Sequence, residues 1–206
     1  MASDKIITVD KLKQLLSKLK TKKIVHCHGV FDLLHYGHIN YFNEAKKNGD
    51  ILIVSITSDK FVNKGSFRPY FNEKIRAKAI SSLEIVDYVI INQSMTAVKM
   101  IHLLKPNFYV KGPDYRNTKD KNLNLEKNAI NKVNGKIIFT SGKTFSSSNI
   151  INKSLEEFNT NQKLFLSKFK KKFSQNDIKQ QLSKLANKKI LIIGEAIIDE
   201  YVYCTP

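Results

Sequence analysis

A chain of 206 residues, 42% of them hydrophobic, is long enough for one full α/β domain with some extra, and it can bury a substantial core. No apolar run approaches the ~20 residues of a membrane span. The Met-Ala-Ser-Asp-Lys start lacks the apolar centre of a secretion signal, and Cys27 and Cys204 give no disulfide framework; a cytoplasmic chain with no membrane partner is expected. The net charge of +17, from 35 basic and 18 acidic residues, admits nucleic acid, an anionic surface or an anionic small substrate as partner.

In chain order, Leu12, Leu15, Leu16 and Leu19 recur at helical spacing and predict a helix over 10–20, with Asp10 at its N-cap. Strand and helix signals then alternate. Strands are expected at 23–28, 51–57, 86–91, 107–111 and 136–140. Helices are expected at 37–48, 72–83, 95–104, 122–133 and 147–158, with Gly49-Asp50 and Gly135 closing two of them. Apolar strands separated by helices imply a parallel sheet covered on both faces. Ligands of such sheets bind beyond the carboxyl ends of the strands.

The first strand runs into His28-Gly-Val-Phe-Asp-Leu-Leu-His-Tyr-Gly-His38. A strand thus ends in a glycine-containing turn, and a helix opens with two histidines on one face of its first turn. Helix N-termini carry unpaired N–H groups and the positive dipole end, which suits phosphate. Gly29 and Gly37 let a ligand approach the backbone. A metal site built from His26, His28, His35 and His38 is an alternative, but it leaves the glycines and Asp32 unexplained.

Gly29, Phe31, Asp32, His35, Gly37 and His38 form G-x-F-D-x-x-H-x-G-H, which resembles the signature of the cytidylyltransferase-like nucleotidyltransferases. The resemblance covers roughly residues 22–158 and implies a Rossmann-like five-stranded parallel sheet with helices on both faces. It also implies that His35 and His38 stabilise the α-phosphate of a nucleoside triphosphate as another phosphate attacks it, with Mg²⁺ accompanying the NTP. Gly29, Val30, Phe31, Asp32 and Gly37 would then line the nucleotide. Lys64, before Gly65, falls where the family has a phosphate-binding lysine. Arg68 and Arg76 flank the start of the 72–83 helix and are expected at the acceptor's phosphate. Ser146, Ser147 and Ser148 precede the last helix of the domain and are expected at the triphosphate, as a Ser-Thr-Thr run is in the family. Gly142-Lys143-Thr144 is no P-loop, because Ile137 stands where the motif needs glycine.

Lys111-Gly112-Pro113-Asp114-Tyr115 and Arg68-Pro69…Glu73…Arg76 resemble the heptose-1-phosphate adenylyltransferases, which make ADP-heptose. Lys111, Gly112 and Asp114 are expected at the nucleotide and Tyr115 at the substrate; Asp114 also suits the sugar. The arginine that glycerol-phosphate cytidylyltransferases carry before their Ser-Thr run is missing from Ser141–Phe145, which favours ATP and a sugar 1-phosphate. A CTP-dependent polyol-phosphate transferase is the rival enzyme. A non-catalytic module sensing nucleotide or nucleic acid is the rival of another class, although no nucleic-acid module is recognisable. Relatives of this kind are often dimeric.

Residues 161–190 hold nine lysines against Asp177, alternating with Phe165, Phe169 and Phe173, and read as a basic amphipathic helix. Residues 176–193 echo 10–27 at an offset of 166: Ser183-Lys-Leu185 falls on Ser17-Lys-Leu19, and Lys188-Lys-Ile190 on Lys22-Lys-Ile24. Ile190–Tyr201 resembles the first strand of ribokinase-like sugar kinases, in which the aspartate at Asp199 helps bind the sugar. The expected division is a transferase domain over 1–158, a basic helical linker over 159–187, and the start of a sugar-kinase-like domain over 188–206. A sugar-kinase domain is expected on the full-length chain.

Overall fold

We describe a computed structural model of the chain, which covers residues 2–64, 68–116, 118, 120–141, 160–185 and 188. It divides into two compact units, residues 1–155 and 156–206.

The first unit is built on β1 (Ile24–Gly29), β2 (Ile51–Thr57), β3 (Tyr88–Asn92), β4 (Phe108–Lys111) and β5 (Lys136–Phe139). They form one parallel sheet in the order β3-β2-β1-β4-β5. Strand order reverses between β1 and β4, which opens a crevice beyond their carboxyl ends. Among the described residues, five helices cover the sheet: α1 (Val9–Lys18), α2 (Tyr36–Lys46), α3 (Glu73–Ser81), α4 (Val98–Leu104) and α5 (Lys121–Lys132). Phe42 and Ala45 of α2 and Ala77 and Ile80 of α3 pack one face, against Val25, Cys27, Leu52, Val54 and Val89. Leu12 of α1 and Met100 and Leu104 of α4 pack the other face, against Ile24, Ile53 and Ile90. Ala129 and Ile130 of α5 join that side, with Ile101 and Tyr109. The alternation along β1 serves both faces, as a doubly covered strand requires.

The fold expected from the sequence is therefore present, with shifted boundaries. Helix α1 is capped by Thr8, whose hydroxyl accepts from the Lys11 amide, and Asp10 lies inside the first turn. Strand β3 starts at Tyr88 rather than 86, because Asp87 turns the chain: its amide donates to Leu52 O and its carboxylate accepts from Leu52 N. Helix α4 starts at Val98 rather than 95. Asn134, at φ 59°, takes the left-handed position after α5, so Gly135 is not the cap. Gly135 is needed for another reason: a Cβ there would lie 2.3 Å from Pro106 O. Ahead of α1, Ile7 N donates to Val89 O and Ile6 bridges Val89, which extends the pairing at the β3 edge.

In the second unit the basic segment is two helices rather than one, α6 (Thr160–Lys172) and α7 (Gln175–Leu185). Ser174 breaks it by forming a capping box with Asp177: each backbone amide donates to the other's side chain. Phe165, Phe169 and Phe173 stack in series with centroids 5.9 and 4.9 Å apart. The helix expected at 147–158 and the strand near 190 lie outside the described residues. Among the described residues no helix is long and apolar enough to cross a membrane.

Candidate active site

The β1–α2 turn is held in a strained form. Phe31 (φ 51°) and Leu33 (φ 47°) are both left-handed, which costs side-chain-bearing residues energy and persists only where the surroundings enforce it. Asp32, between them and 2% exposed, supplies the enforcement. Its carboxylate accepts from the amides of Tyr70 (2.7 Å) and Phe71 (3.1 Å), tying the turn to the approach to α3. The Phe31 ring lies over Gly29, where a Cβ would stand 3.0 Å from it and force a small shift.

Arg76 is the second clamp. It is 2% exposed. Its guanidinium donates to Phe71 O (2.9 Å), Val30 O, Thr57 O (2.8 Å) and Asp59 Oδ1 (2.6 Å). Asp59 and Glu73 each accept the other's amide, so the end of β2 and the start of α3 are locked together. The sequence placed Arg76 at the acceptor's phosphate. The structure puts it beneath the crevice, spent on the chain's own oxygens. Asp32 and Val30 likewise contribute through scaffold bonds.

His35 caps α2, its Nδ1 accepting from Gly37 N at 3.1 Å, which leaves the ring proton of the neutral form on Nε2. His38, one turn on, stacks on His35 with centroids 3.9 Å apart and 21° between planes. The Phe31 ring meets His38 edge-on at 5.4 Å. Burial, then His35, then Lys64 push the His38 imidazole down to about 3, against a smaller raising effect of Asp32. Burial lowers His35 as well. Both rings are therefore neutral at pH 7 until an anion arrives beside them. His38 Nδ1 is buried and finds no partner among the described residues.

Lys64 lies close enough to His38 to depress it. Its own ammonium is lowered by loss of water and by Arg68, and raised by Asp32 and Asp114. Lys64 thus couples electrostatically to His38 of the signature turn, to Arg68 and to Asp114. Asp114 is exposed, and its carboxylate folds back over Gly112, where a Cβ would fall 2.5 Å from it and push it aside.

Lys111 is set deeper. It is 6% exposed, pairs with Glu126 at 3.1 Å, and lies 4.3 Å from the centre of the Tyr115 ring. Glu126 also accepts from Ala97 N at 2.9 Å, joining the start of α4 to the end of β4. Sequence reading missed Glu126; its signal is an acid among Leu123, Ala129 and Ile130 on the buried face of α5. Next to this pair, His26 and His28 share Ser55 Oγ, each at 2.8 Å. Burial drives both down, His28 to about 4 and His26 well below its usual value. His26–His28 and His35–His38 are thus two separate pairs in different surroundings. Among the described residues no group of three or more His, Cys, Asp or Glu is placed to hold a metal ion. Ser146, Ser147 and Ser148 lie outside the described residues.

Comparisons with known proteins bear on this geometry. Residues 26–153 match the family model described as cytidylyltransferase-like. The bifunctional protein HldE of Helicobacter pylori strain P12 is 49% identical over 108 residues, 52% of this chain and 23% of that protein. HldE of Aliarcobacter butzleri is 44% identical over 114 residues, 53% of this chain and 24% of that one. The chain thus spans about a quarter of the length of the curated relatives it matches. The crystal structure of a lipopolysaccharide core biosynthesis protein from Thermoplasma volcanium GSS1 aligns with a TM-score of 0.51 at 33% identity, over 60% of this chain and 99% of that one. A pantoate-beta-alanine ligase from Francisella tularensis aligns with a TM-score of 0.53 at 20% identity, over 70% of this chain and 72% of that one, a likeness of fold alone.

Proposed function

Since this chain belongs to the cytidylyltransferase-like family and is a nucleotidyltransferase, we propose that it joins a sugar 1-phosphate of the heptose type to ATP, giving a nucleotide-sugar and pyrophosphate. The observation that carries this reading is the stacked His35–His38 pair at the N-terminus of α2, with Lys64 beside it.

The reaction is a displacement at phosphorus. An oxygen of the acceptor's phosphate bonds to the α-phosphorus as the bond to the β-bridging oxygen breaks, and that electron pair leaves with pyrophosphate. Such a reaction needs positioning and charge neutralisation rather than a protein nucleophile. The α2 N-terminus supplies amides and a positive dipole end. His35 and His38 donate to the α-phosphate, and the arriving triphosphate raises their proton affinity. Lys64 neutralises the leaving phosphates, together with Ser146, Ser147 and Ser148. Gly29, Phe31, Gly37 and Gly112 give the nucleotide room, while Lys111 and Tyr115 brace its side of the crevice and Asp114 contacts it. Asp32 spends both oxygens on amides, and Asp114 is an exposed carboxylate. That donor set fits a magnesium ion held mainly by triphosphate oxygens; bound there, it would neutralise charge building on them.

Two observations support the acceptor and base. Lys111–Tyr115 and Arg68-Pro69 resemble the heptose-1-phosphate adenylyltransferases, and the relatives above include HldE proteins and a lipopolysaccharide core biosynthesis protein. The kinase-like opening at 190–201 supports a sugar kinase on a longer chain, which would supply the phosphorylated sugar. A pyrophosphate-release panel tests this reading, with ATP and CTP each offered D-glycero-D-manno-heptose 1-phosphate and glycerol 3-phosphate. Release with ATP and the heptose phosphate is expected. Release only with CTP and glycerol phosphate would replace it.

A further inference from the structure

Arg76 is committed to the chain's own carbonyls, so the acceptor's phosphate needs another cation. Arg68 has the required features. Its side chain is 8% exposed, and Nε lies 3.2 Å from Asp32 Oδ2 as an ion pair. Yet Nε and Nη2, both buried, find no hydrogen-bond acceptor among the described residues. A buried guanidinium with unmet donors is costly, and a phosphate is the anion whose oxygens match its fork. Asp32 answers that need only as an ion partner: the Nε contact is not a hydrogen bond, and Nη2 has no acceptor there.

The same Asp32 Oδ2 accepts the Tyr70 amide at 2.7 Å, so the Tyr70 backbone and the Arg68 head are pinned to one atom. The Tyr70 ring is 55% exposed and meets Phe71 edge-on at 5.1 Å. An exposed aromatic ring two residues along the chain from an anion-seeking arginine suits a ligand with a phosphate and an apolar C–H face, which a sugar ring has. The charge of Lys64 is felt by His38, and its own ammonium is depressed by Arg68.

We propose that Arg68 and Tyr70 form the acceptor subsite: the Arg68 guanidinium grips the sugar phosphate, and the Tyr70 ring carries the sugar's C–H face. This rests on the nucleotidyl-transfer reading above. The test is initial-rate pyrophosphate release with ATP and D-glycero-D-manno-heptose 1-phosphate for Arg68→Lys, Arg68→Gln, Tyr70→Ala and Tyr70→Phe, each checked for an unchanged melt. Calorimetric titration of the same sugar phosphate, with a non-hydrolysable ATP analogue present, reads binding without chemistry. Arg68→Gln should raise the acceptor KM and Kd about tenfold or more, with the ATP KM within about twofold. Arg68→Lys should fall between Gln and wild type, because it keeps the charge and loses the fork. Tyr70→Ala should raise the acceptor KM several-fold while Tyr70→Phe stays near wild type; neither change touches the amide that Asp32 holds. An ATP KM that rises in step with the acceptor KM, or an unmoved acceptor Kd, overturns the assignment. If wild type turns over glycerol 3-phosphate alone, the sugar reading and the Tyr70 role fall, and the KM split for that phosphate decides Arg68. If it turns over nothing, the transfer reading fails, and the calorimetric Kd of Arg68→Gln still decides the subsite.

Discussion

Arg76 donates to three carbonyls and a carboxylate, while Lys64 carries its amine among Arg68, Asp32 and Asp114. Both read in the sequence as cations for a phosphate, and the structure separates their surroundings. Arg76→Ala would leave Val30 O, Phe71 O and Thr57 O without a donor and Asp59 without its cation. We predict a loss of about 3–5 kcal/mol of stability. Lys64→Ala removes no scaffold bond and should melt near wild type, while pyrophosphate release falls by about 10²-fold or more. Thermal melts and rates on the two variants check this; a destabilised Lys64→Ala with an intact Arg76→Ala would reverse the roles. The His-x-Gly-His pair, Lys64 and Asp114 were legible because motif and spacing place them. The duties of Asp32 and Arg76 were not, since a buried clamp and a ligand-binding charge have the same one-letter code. Their partners, the Tyr70 amide and the Val30 carbonyl, lie 38 and 46 residues away.

At the scale of elements, β1 and β2 carry a buried polar group on the face they turn to α4 and α5. His26 and His28 of β1 bracket Ser55 of β2, and both are held neutral by burial. Their folded proton affinities lie below the unfolded value near 6.5, so the unfolded chain binds more protons in the interval between. The stability that neutral His28 contributes is thus present above about pH 6.5 and is lost as pH falls toward its folded value of about 4. The melting temperature should hold above pH 6.5 and drop by on the order of 5–10 °C by pH 4. A His28→Asn variant should show a shallower decline across that range, and melts at stepped pH measure it. An equal slope in the variant would remove His28 as the source. Element order and type were readable from hydrophobic period alone, because apolar strands alternate with amphipathic helices. Boundaries moved where a side chain from elsewhere set them. Asp87 delays β3 by binding β2, and the Glu126 carboxylate on α5 takes the Ala97 amide where α4 begins.

For the whole molecule, the sheet order β3-β2-β1-β4-β5 puts the signature turn of β1 beside the Lys111–Tyr115 segment of β4, at the one place where the order reverses. That topology explains how sequence-distant motifs meet; the alternation of elements predicted a parallel sheet covered on both faces but not its strand order. The break at Ser174 was not foreseen, because apolar residues at helical spacing resume directly after it, at Ile178, Leu182 and Leu185, and only a local capping box interrupts the helix. If stacked His35 and His38 stabilise the transferring phosphate, rather than merely cap and fill α2, each must matter to turnover and little to folding. Pyrophosphate release by wild type, His35→Ala and His38→Ala, with ATP and heptose 1-phosphate, is the decisive measurement. Turnover should fall by about 10²–10³-fold in each variant, with melting close to wild type. Near-normal release by folded His38→Ala would remove the pair from the chemistry.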